Sequence, residues 1–382
     1  MAQKTIPVFT PHLEASAAAN VQACLESGWI SSEGVFIDQF ERAWAEKCNV
    51  RHGIAVNSGT SALEIAMAAL ELDNGAEVIL PSYTIISCAS AILNAGYKIR
   101  LVDVDPDTWC INVEQVAEKI GEKTRAIMPV HMFGHPADMA KIMDLANRYN
   151  LNVVEDAAEA HAASFNNKIV GGIGDIGCFS FYANKIITTG EGGMAVTNNK
   201  QIYEKLDILK NHGITRNQLN LKRKKLEFWY YEQQFLGFNY RLSDISAALG
   251  ISQLKRLNKF ILERNKIAKR YDLLLKNLPV KPQEIKKGNK SSFHLYIILL
   301  ELKKIKKSYN QIFTALRNKG IMINLHYLPV HLQPFYKKFG FKNGSFPVSE
   351  NYAKQAISLP IYPGLTKVEQ IKIVKILKKI TS

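Results

Sequence analysis

Short apolar runs rich in β-branched residues alternate with helical patterns through the first two-thirds of the 382-residue chain. Five of these runs are predicted to be strands: Ile54–Val56, Glu77–Leu80, Ile99–Val102, Ala126–Val130 and Asn152–Glu155. Three intervening stretches have the apolar spacing of helices: Ser61–Leu72, Val113–Ile120 and Ala137–Tyr149. Because such alternation builds βαβ units, the sequence predicts an α/β fold with a mostly parallel sheet. Sheets of this kind bind ligands beyond the carboxyl ends of their strands.

The pattern changes beyond about residue 245. A long predicted helix, Ile245–Leu278, precedes a Lys-rich connector, a predicted strand at His294–Leu300 and a predicted helix at Tyr309–Asn318. A loop rich in His, Pro and aromatic residues, His326–Tyr336, and a terminal helix follow. We therefore predict a large α/β domain over residues 1–245 and a smaller α+β domain over residues 246–382.

Composition excludes several classes of protein. Hydrophobic residues make up 47% and charged residues 22% of the chain, which is ordinary for a globular protein and excludes bulk disorder. No apolar run approaches the ~18–20 residues that span a bilayer, and the chain starts without the apolar core of a signal peptide. A cytoplasmic location without a membrane partner is therefore expected. The five cysteines include no C-x-x-C pair, which favours reduced thiols over disulfides or a metal site.

The net charge of +15 is distributed unevenly along the chain. Residues 1–200 carry 14 basic and 23 acidic residues, a net charge of −9, whereas the remainder carries a net charge of +24. This asymmetry raises the possibility of a nucleic-acid-binding protein, which strong salt dependence of binding would reveal. Most of these lysines fall in amphipathic helical patterns, so we favour solvated lysines and predict no nucleic-acid partner. The positive field would also attract a small substrate that carries a nucleotide.

Two short segments that follow predicted strands could bind a ligand. Ser58–Ala62 opens a helix, where backbone N–H groups and hydroxyls could bind an anion, although capping of the helix alone is the simpler interpretation. Asp156 follows the strand Asn152–Glu155, and Glu155 and Glu159 flank it. A carboxylate at this place could pair with a buried cation or cap the next helix.

A third segment contains a lysine in unusual surroundings. Lys185 is the only charged residue between Asp175 and Glu191, so it is not expected to be a solvated surface residue. Burial favours the neutral amine of a lysine, which is a nucleophile able to form a Schiff base. The glycines of Thr188–Gly193 would let the backbone pass close to a ligand. An anion site, a carboxylate and an amine nucleophile on one sheet are the groups that pyridoxal phosphate requires.

Four segments together resemble the DegT/DnrJ/EryC1/StrS family of sugar aminotransferases: Ser58–Thr60, Glu155–Ala160, Asn184–Gly193 and Gly237–Arg241. The resemblance extends from about Ile6 to the C-terminus and implies the aspartate-aminotransferase-like fold, fold type I. It also implies pyridoxal 5′-phosphate as cofactor and amino transfer from L-glutamate to a nucleotide-linked keto sugar. Family active sites form across the interface of a homodimer.

The resemblance implies a role for each matching residue. Lys185 would bind the cofactor covalently as a Schiff base and shuttle the proton between substrate and cofactor. Asp156 would bond the pyridinium nitrogen, and Glu159 would lie near the 3′-oxygen of the cofactor. The phosphate would be bound by Gly59, Thr60 and Ser180, and by Asn239 of the neighbouring subunit.

One position departs from the family pattern. Ile85 stands where family members usually have an aromatic residue that stacks on the cofactor ring. An aliphatic side chain can cover that face without aromatic stacking. Tyr83 would replace the missing ring only if the local register differs.

The substrate is predicted from finer resemblances. Gly28–Gly34 resembles GDP-perosamine synthases, whereas Trp229–Glu232 and His326–Tyr336 resemble UDP-linked 4-aminotransferases of the pseudaminic-acid route. Both groups aminate C4 of a 4-keto-6-deoxy sugar, so amination at C4 is predicted, with GDP slightly favoured and 3-amination as the alternative. His326 and Trp29 are predicted to line the sugar pocket, and a core position is the competing interpretation of Trp29.

Overall fold

The computed structural model describes residues 5–217, 221–223, 227 and 229–382. The helices are α1 (Ala15–Ser27), α2 (Val35–Cys48), α3 (Gly59–Ala69), α4 (Ile86–Asn94), α5 (Val113–Lys119), α6 (Met139–Tyr149), α7 (Lys200–Lys210), α8 (Asp244–Leu254), α9 (Leu257–Leu275), α10 (Tyr309–Asn318), α11 (Pro334–Lys337), α12 (Pro347–Ala353) and α13 (Lys367–Thr381). The strands are β1 (His52–Val56), β2 (Glu77–Pro81), β3 (Lys98–Val102), β4 (Thr124–Ile127), β5 (Asn152–Asp156), β6 (Ser164–Phe165), β7 (Lys168–Ile169), β8 (Ile176–Ser180), β9 (Gly193–Thr197), β10 (Ile214–Thr215), β11 (Glu232–Gln233), β12 (Val280–Pro282), β13 (Asn289–Lys290), β14 (Tyr296–Leu300) and β15 (Ala356–Leu359).

A seven-stranded sheet forms the centre of the fold, with strand order β1-β9-β8-β5-β4-β2-β3. The pairs β2/β3, β2/β4, β4/β5 and β5/β8 are parallel, and β9 runs antiparallel to both β8 and β1. Helices such as α3 and α4 pack apolar residues against this sheet in a large buried cluster. The predicted α/β fold with a mostly parallel sheet is therefore confirmed.

Several predicted elements have different bounds in the structure, and a helix and a strand are two examples. The predicted helix Ile245–Leu278 is two helices, α8 and α9, which are separated at Lys255 and Arg256. Strand β4 ends at Ile127 rather than at Val130, which makes an isolated parallel bridge with Asp156. The predicted helix was too long because its apolar spacing continues past Leu254, and the predicted strand was too long because the apolar run continues through Met128 to Val130.

A second sheet lies in the C-terminal part of the chain. Strands β12, β14 and β15 pair antiparallel, and α9, α10 and α13 contribute to the apolar cluster around them. Ile6 joins this cluster through a bridge with Ile321. The predicted domain boundary at residue 245 falls inside α8 and stays a prediction. Within the described ranges, no helix combines the length and apolar character needed to cross a membrane.

Strand β5 places two consecutive carboxylates on opposite faces of the sheet, since side chains alternate along a strand. Glu155 is fully buried and accepts hydrogen bonds from the amides of Gly171, Ile173 and Gly174 at 2.6–2.7 Å. It also accepts a 2.9 Å bond from Nε2 of His131. The Nδ1 atom of that ring accepts the amide of Ala137, so the ring proton lies on Nε2. Glu155 therefore has a structural role, and Asp156 faces the other side.

The pKa of Glu155 reflects this environment. Burial raises the pKa of the carboxyl, but the bonds from His131 and the loop amides lower it by more, so it lies below the ordinary 4.5. A carboxyl with a lowered folded pKa stabilises the protein above its unfolded pKa. That stabilisation is lost as the pH falls through the folded value.

We expect Glu155→Gln to lower the free energy of unfolding at pH 7 by about 3 kcal/mol, because an amide cannot accept all four bonds. The difference from the native chain should shrink as the pH falls below 4.5. Urea unfolding between pH 3.5 and 7 measures both quantities. Glu118→Gln on the exposed face of α5 is the control and should change stability by less than about 0.5 kcal/mol. If Glu155→Gln lowered the free energy of unfolding equally at every pH, the charge of the Glu155 carboxylate would not contribute to stability.

Candidate active site

A cavity of about 440 Å³ opens beyond the carboxyl ends of β1, β5 and β8. Seven of the nine predicted site residues line it: Gly59, Thr60, Asp156, Glu159, Ser180, Lys185 and His326. They come from segments that are distant in the sequence, and the parallel sheet brings them together. The cavity is where ligands of parallel sheets bind.

The N-terminus of α3 forms one end of the cavity. Ser58 caps the helix by accepting the amide of Ser61, so the capping interpretation is correct for Ser58. A Cβ atom on Gly59 would lie 2.6 Å from the Cβ atom of Ser180, so only glycine fits there. Thr60 donates its hydroxyl proton to Ser87 at 2.9 Å. The first N–H groups of the helix lack intrahelical partners and attract an anion, which the helix dipole also favours.

Asp156 is buried on the floor of the cavity, at the end of β5. Its Oδ1 atom accepts the amide of Ala158 at 3.0 Å, and its Oδ2 atom accepts the thiol of Cys88 at 2.9 Å. Burial is the largest effect and raises the pKa of this carboxyl above its ordinary value, although the thiol, the amide and Lys185 act to lower it. A carboxylate in this position can pair with a positive ring nitrogen.

Lys185 lies inside the cavity, with only 10% of its side chain exposed. Its Nζ atom is 3.7 Å from Oε1 of Glu159. The backbone amide of Lys185 bonds the carbonyl of Tyr182 in a turn between β8 and β9. The expectation that this lysine is not solvated agrees with its position.

Glu159 has three neighbours that sequence reasoning did not find. Its Oε2 atom accepts the amide of Phe133 at 3.0 Å, and its Oε1 atom accepts the hydroxyl of Tyr327 at 2.9 Å. Nε2 of His294 lies 3.7 Å from Oε1. Burial, and then the charge of Glu159, raise the pKa of Tyr327, which therefore keeps its proton. Tyr327 belongs to the predicted loop His326–Tyr336, and this was the only feature of the sequence that pointed to it.

His326 lies at the cavity wall, where its Nδ1 atom is 2.7 Å from the hydroxyl of Ser358. Burial lowers the pKa of this ring. Asn324 also lines the cavity and has its amide nitrogen 3.4 Å from Nε2 of the ring. Both residues line the same cavity as Asp156 and Glu159.

Two predicted residues lie outside this cavity. Trp29 is 62% exposed, so its interpretation as a core aromatic was wrong. Asn239 is exposed and pairs through its backbone with Asn211. Neither side chain lines the cavity of its own chain.

Ile85, at the predicted ring-stacking position, lines the cavity. Tyr83 does not replace an aromatic residue there, because it is fully buried against Tyr352 and Phe133, with ring centroids 4.3 and 6.3 Å away. The local register therefore offers an aliphatic side chain to this face of the cavity.

The donor set fits pyridoxal phosphate. A helix N-terminus with Ser180 beside it suits a phosphate, Asp156 suits a protonated ring nitrogen, and Lys185 can form a Schiff base. Asn184 lines the same cavity, and its buried Oδ1 atom has no hydrogen-bond partner within the described part of the chain. A polar atom left in this state marks a place where a ligand donor belongs.

Comparisons with known proteins agree with this geometry. Residues 11–378 match the model of the DegT/DnrJ/EryC1/StrS aminotransferase family. The chain is 40% identical over 381 residues to the uncharacterised protein MJ1066 of Methanocaldococcus jannaschii, covering 99% of this chain and 98% of that protein. It is 38% identical over 370 residues to the GDP-perosamine synthase of Escherichia coli O157:H7, covering 97% of each.

A solved structure matches along the whole chain. Helicobacter pylori PseC, described as an aminotransferase involved in the biosynthesis of pseudoaminic acid, superimposes with a TM-score of 0.92 at 29% identity and covers 99% of both chains. The fold type I prediction and the cofactor prediction are thereby confirmed. The chain belongs to the DegT/DnrJ/EryC1/StrS aminotransferase family, and it is a pyridoxal-phosphate-dependent enzyme.

Proposed function

We propose that this enzyme transfers an amino group from L-glutamate to C4 of a GDP-linked 4-keto-6-deoxyhexose, for the synthesis of an amino sugar. The observation that carries the proposal is the placement of Lys185, Asp156 and Glu159 in one cavity. The similarity to a GDP-perosamine synthase supports the substrate class. A UDP-linked sugar is the second candidate, because Trp229–Glu232 and His326–Tyr336 resemble UDP-linked 4-aminotransferases.

Each residue at the floor of the cavity has a task in this reaction. Pyridoxal phosphate, when bound, supplies an electron sink that stabilises the carbanion formed as the amino donor loses its α-proton. Nζ of Lys185 would hold the cofactor covalently until the amino donor displaces it. The freed amine would then take up the α-proton and pass it to the cofactor, and it would later deliver a proton at the sugar carbon. Asp156 holds a negative charge against the ring nitrogen, an arrangement that commonly contributes several kcal/mol to transition-state stabilisation.

The remaining groups orient the reactants. Gly59, Thr60 and Ser180 hold the phosphate at the N-terminus of α3, because backbone donors and the helix dipole converge there. Glu159 is fixed from two sides by Phe133 and Tyr327, which places its carboxylate beside Lys185. His326 sits in the same wall and is suited to bond a sugar hydroxyl.

The proposal includes a homodimer in which Asn239 reaches the phosphate site of the partner subunit. Two observations support this arrangement. Asn239 lies outside the cavity of its own chain and is exposed. Large apolar side chains are also exposed elsewhere on the surface, including Trp29 at 62%, Ile30 at 47% and Leu236 at 89%. Large exposed apolar surface is typical of interfaces.

Incubation with L-glutamate and a panel of GDP-, UDP- and dTDP-linked 4-keto-6-deoxy sugars tests the substrate. We expect a 4-amino GDP-sugar together with an equal amount of 2-oxoglutarate, measured by mass spectrometry and NMR. Lys185→Ala should lower the rate by at least about a thousandfold, because it removes the acid–base group. Lys168→Ala, at an exposed lysine, is the control and should retain native turnover. A product aminated at C3, or turnover by Lys185→Ala, would contradict the proposal.

Mixing of two inactive variants tests whether Asn239 acts across a dimer. Lys185→Ala and Asn239→Ala chains should each lose activity as homodimers. A dimer that contains one chain of each kind has one intact site, so random reassortment should restore about a quarter of the native activity. Turnover after denaturation and joint refolding measures this recovery. If Asn239 acts within its own chain, no mixture contains an intact site, and the activity stays at the level of the separate variants.

A further inference from the structure

One side chain beneath the cavity has a position that the proposed reaction does not explain. Cys88 lies in the first turn of α4 and is fully buried. Its thiol donates a hydrogen bond of 2.9 Å to Oδ2 of Asp156. Strand β4 separates β2, which precedes α4, from β5, which carries Asp156. The contact therefore joins β5 to the helix that follows β2, although β2 and β5 are not neighbours in the sheet.

A second bond orients the thiol. The Oγ1 atom of Thr84 lies 3.2 Å from the sulfur of Cys88. A thiol has one proton, and the bond to Asp156 uses it, so the Thr84 hydroxyl donates to the sulfur. Thr84 also lines the cavity. A chain of donors thus runs from the cavity wall through the thiol to the carboxylate.

The thiol has the protonation state that this contact requires. Burial, followed by the charge of Asp156, raises the pKa of Cys88 well above 9.0, so the sulfur keeps its proton and remains a donor. The opposite side of the carboxylate is fixed by the amide of Ala158. With one donor on each oxygen, the Asp156 carboxylate has a fixed orientation.

We propose that Cys88 is a positioning residue that holds Asp156 in its orientation beneath the cofactor ring and favours its anionic form. This inference rests on the proposed role of Asp156 as the partner of the ring nitrogen. A hydrogen bond to a charged group contributes more stabilisation than a hydrogen bond between neutral groups. A carboxylate with a fixed orientation also needs no reorganisation during the reaction. The thiol acts through Asp156 and does not touch the reacting atoms.

Variants at Cys88 test the proposal together with a matched cysteine elsewhere. Cys88→Ala should weaken the binding of pyridoxal phosphate and slow the half-reaction with glutamate, each by about tenfold to a hundredfold. Cys88→Ser keeps a donor and should restore both to within about fivefold of native values. Cys110→Ala is the control, because Cys110 is buried in the same apolar cluster but bonds the carbonyl of His135. It should match the native protein in both measurements.

Equilibrium dialysis measures cofactor binding, and rapid mixing measures the rate of the half-reaction. Thermal unfolding detects any general loss of folding stability. Equal losses in Cys88→Ala and Cys110→Ala, or equal losses in Cys88→Ala and Cys88→Ser, would overturn the inference. The double variant with Asp156→Asn separates it from the proposed function. Cys88→Ala should cause almost no further loss in that background. An undiminished further loss would also overturn the inference, whereas native kinetics of Asp156→Asn alone would overturn the role of Asp156 itself.

Discussion

The last two residues of strand β5, Glu155 and Asp156, connect the central sheet to the active-site cavity. Consecutive side chains of a strand point to opposite faces of the sheet, so Glu155 and Asp156 lie in different environments. Glu155 accepts hydrogen bonds from the loop that contains Gly171 and Gly174, which anchors the strand on the face of the sheet opposite the cavity. Asp156 is thereby presented to the cavity on a strand with little freedom to move. A catalytic carboxylate placed on a packed sheet is held more precisely than one placed on a loop.

The two carboxylates of the site each accept hydrogen bonds from fixed protein donors. Asp156 has a thiol and an amide, and Glu159 has an amide and the Tyr327 hydroxyl. Lys185 lines the same cavity as both carboxylates, and its Nζ atom lies 3.7 Å from Oε1 of Glu159. Because a buried charge without partners is strongly unfavourable, these hydrogen bonds stabilise the cavity in a shape that suits the cofactor.

The sequence predicted those features that depend on local pattern. Strand–helix alternation was enough for the parallel sheet, and a lysine within an uncharged run was enough for Lys185. Contacts between distant segments left no such pattern, so the bonds from Cys88 to Asp156 and from Tyr327 to Glu159 could not be predicted. The break between α8 and α9 was missed because the apolar spacing continues across it. The roles of Trp29 and Asn239 stay predictions, since these side chains lie outside the cavity of a single chain.

The aliphatic side chain of Ile85 affects how firmly the enzyme retains its vitamin-derived cofactor. An isoleucine offers dispersion contacts to a ring face but lacks the quadrupole of an aromatic partner. In the proposed arrangement, the cofactor would therefore be held mainly through its phosphate and its ring nitrogen whenever it is not attached to Lys185. In that arrangement, the fraction of chains that carry the cofactor would follow its free concentration, and the rate of amino-sugar synthesis would follow vitamin B6 supply by mass action.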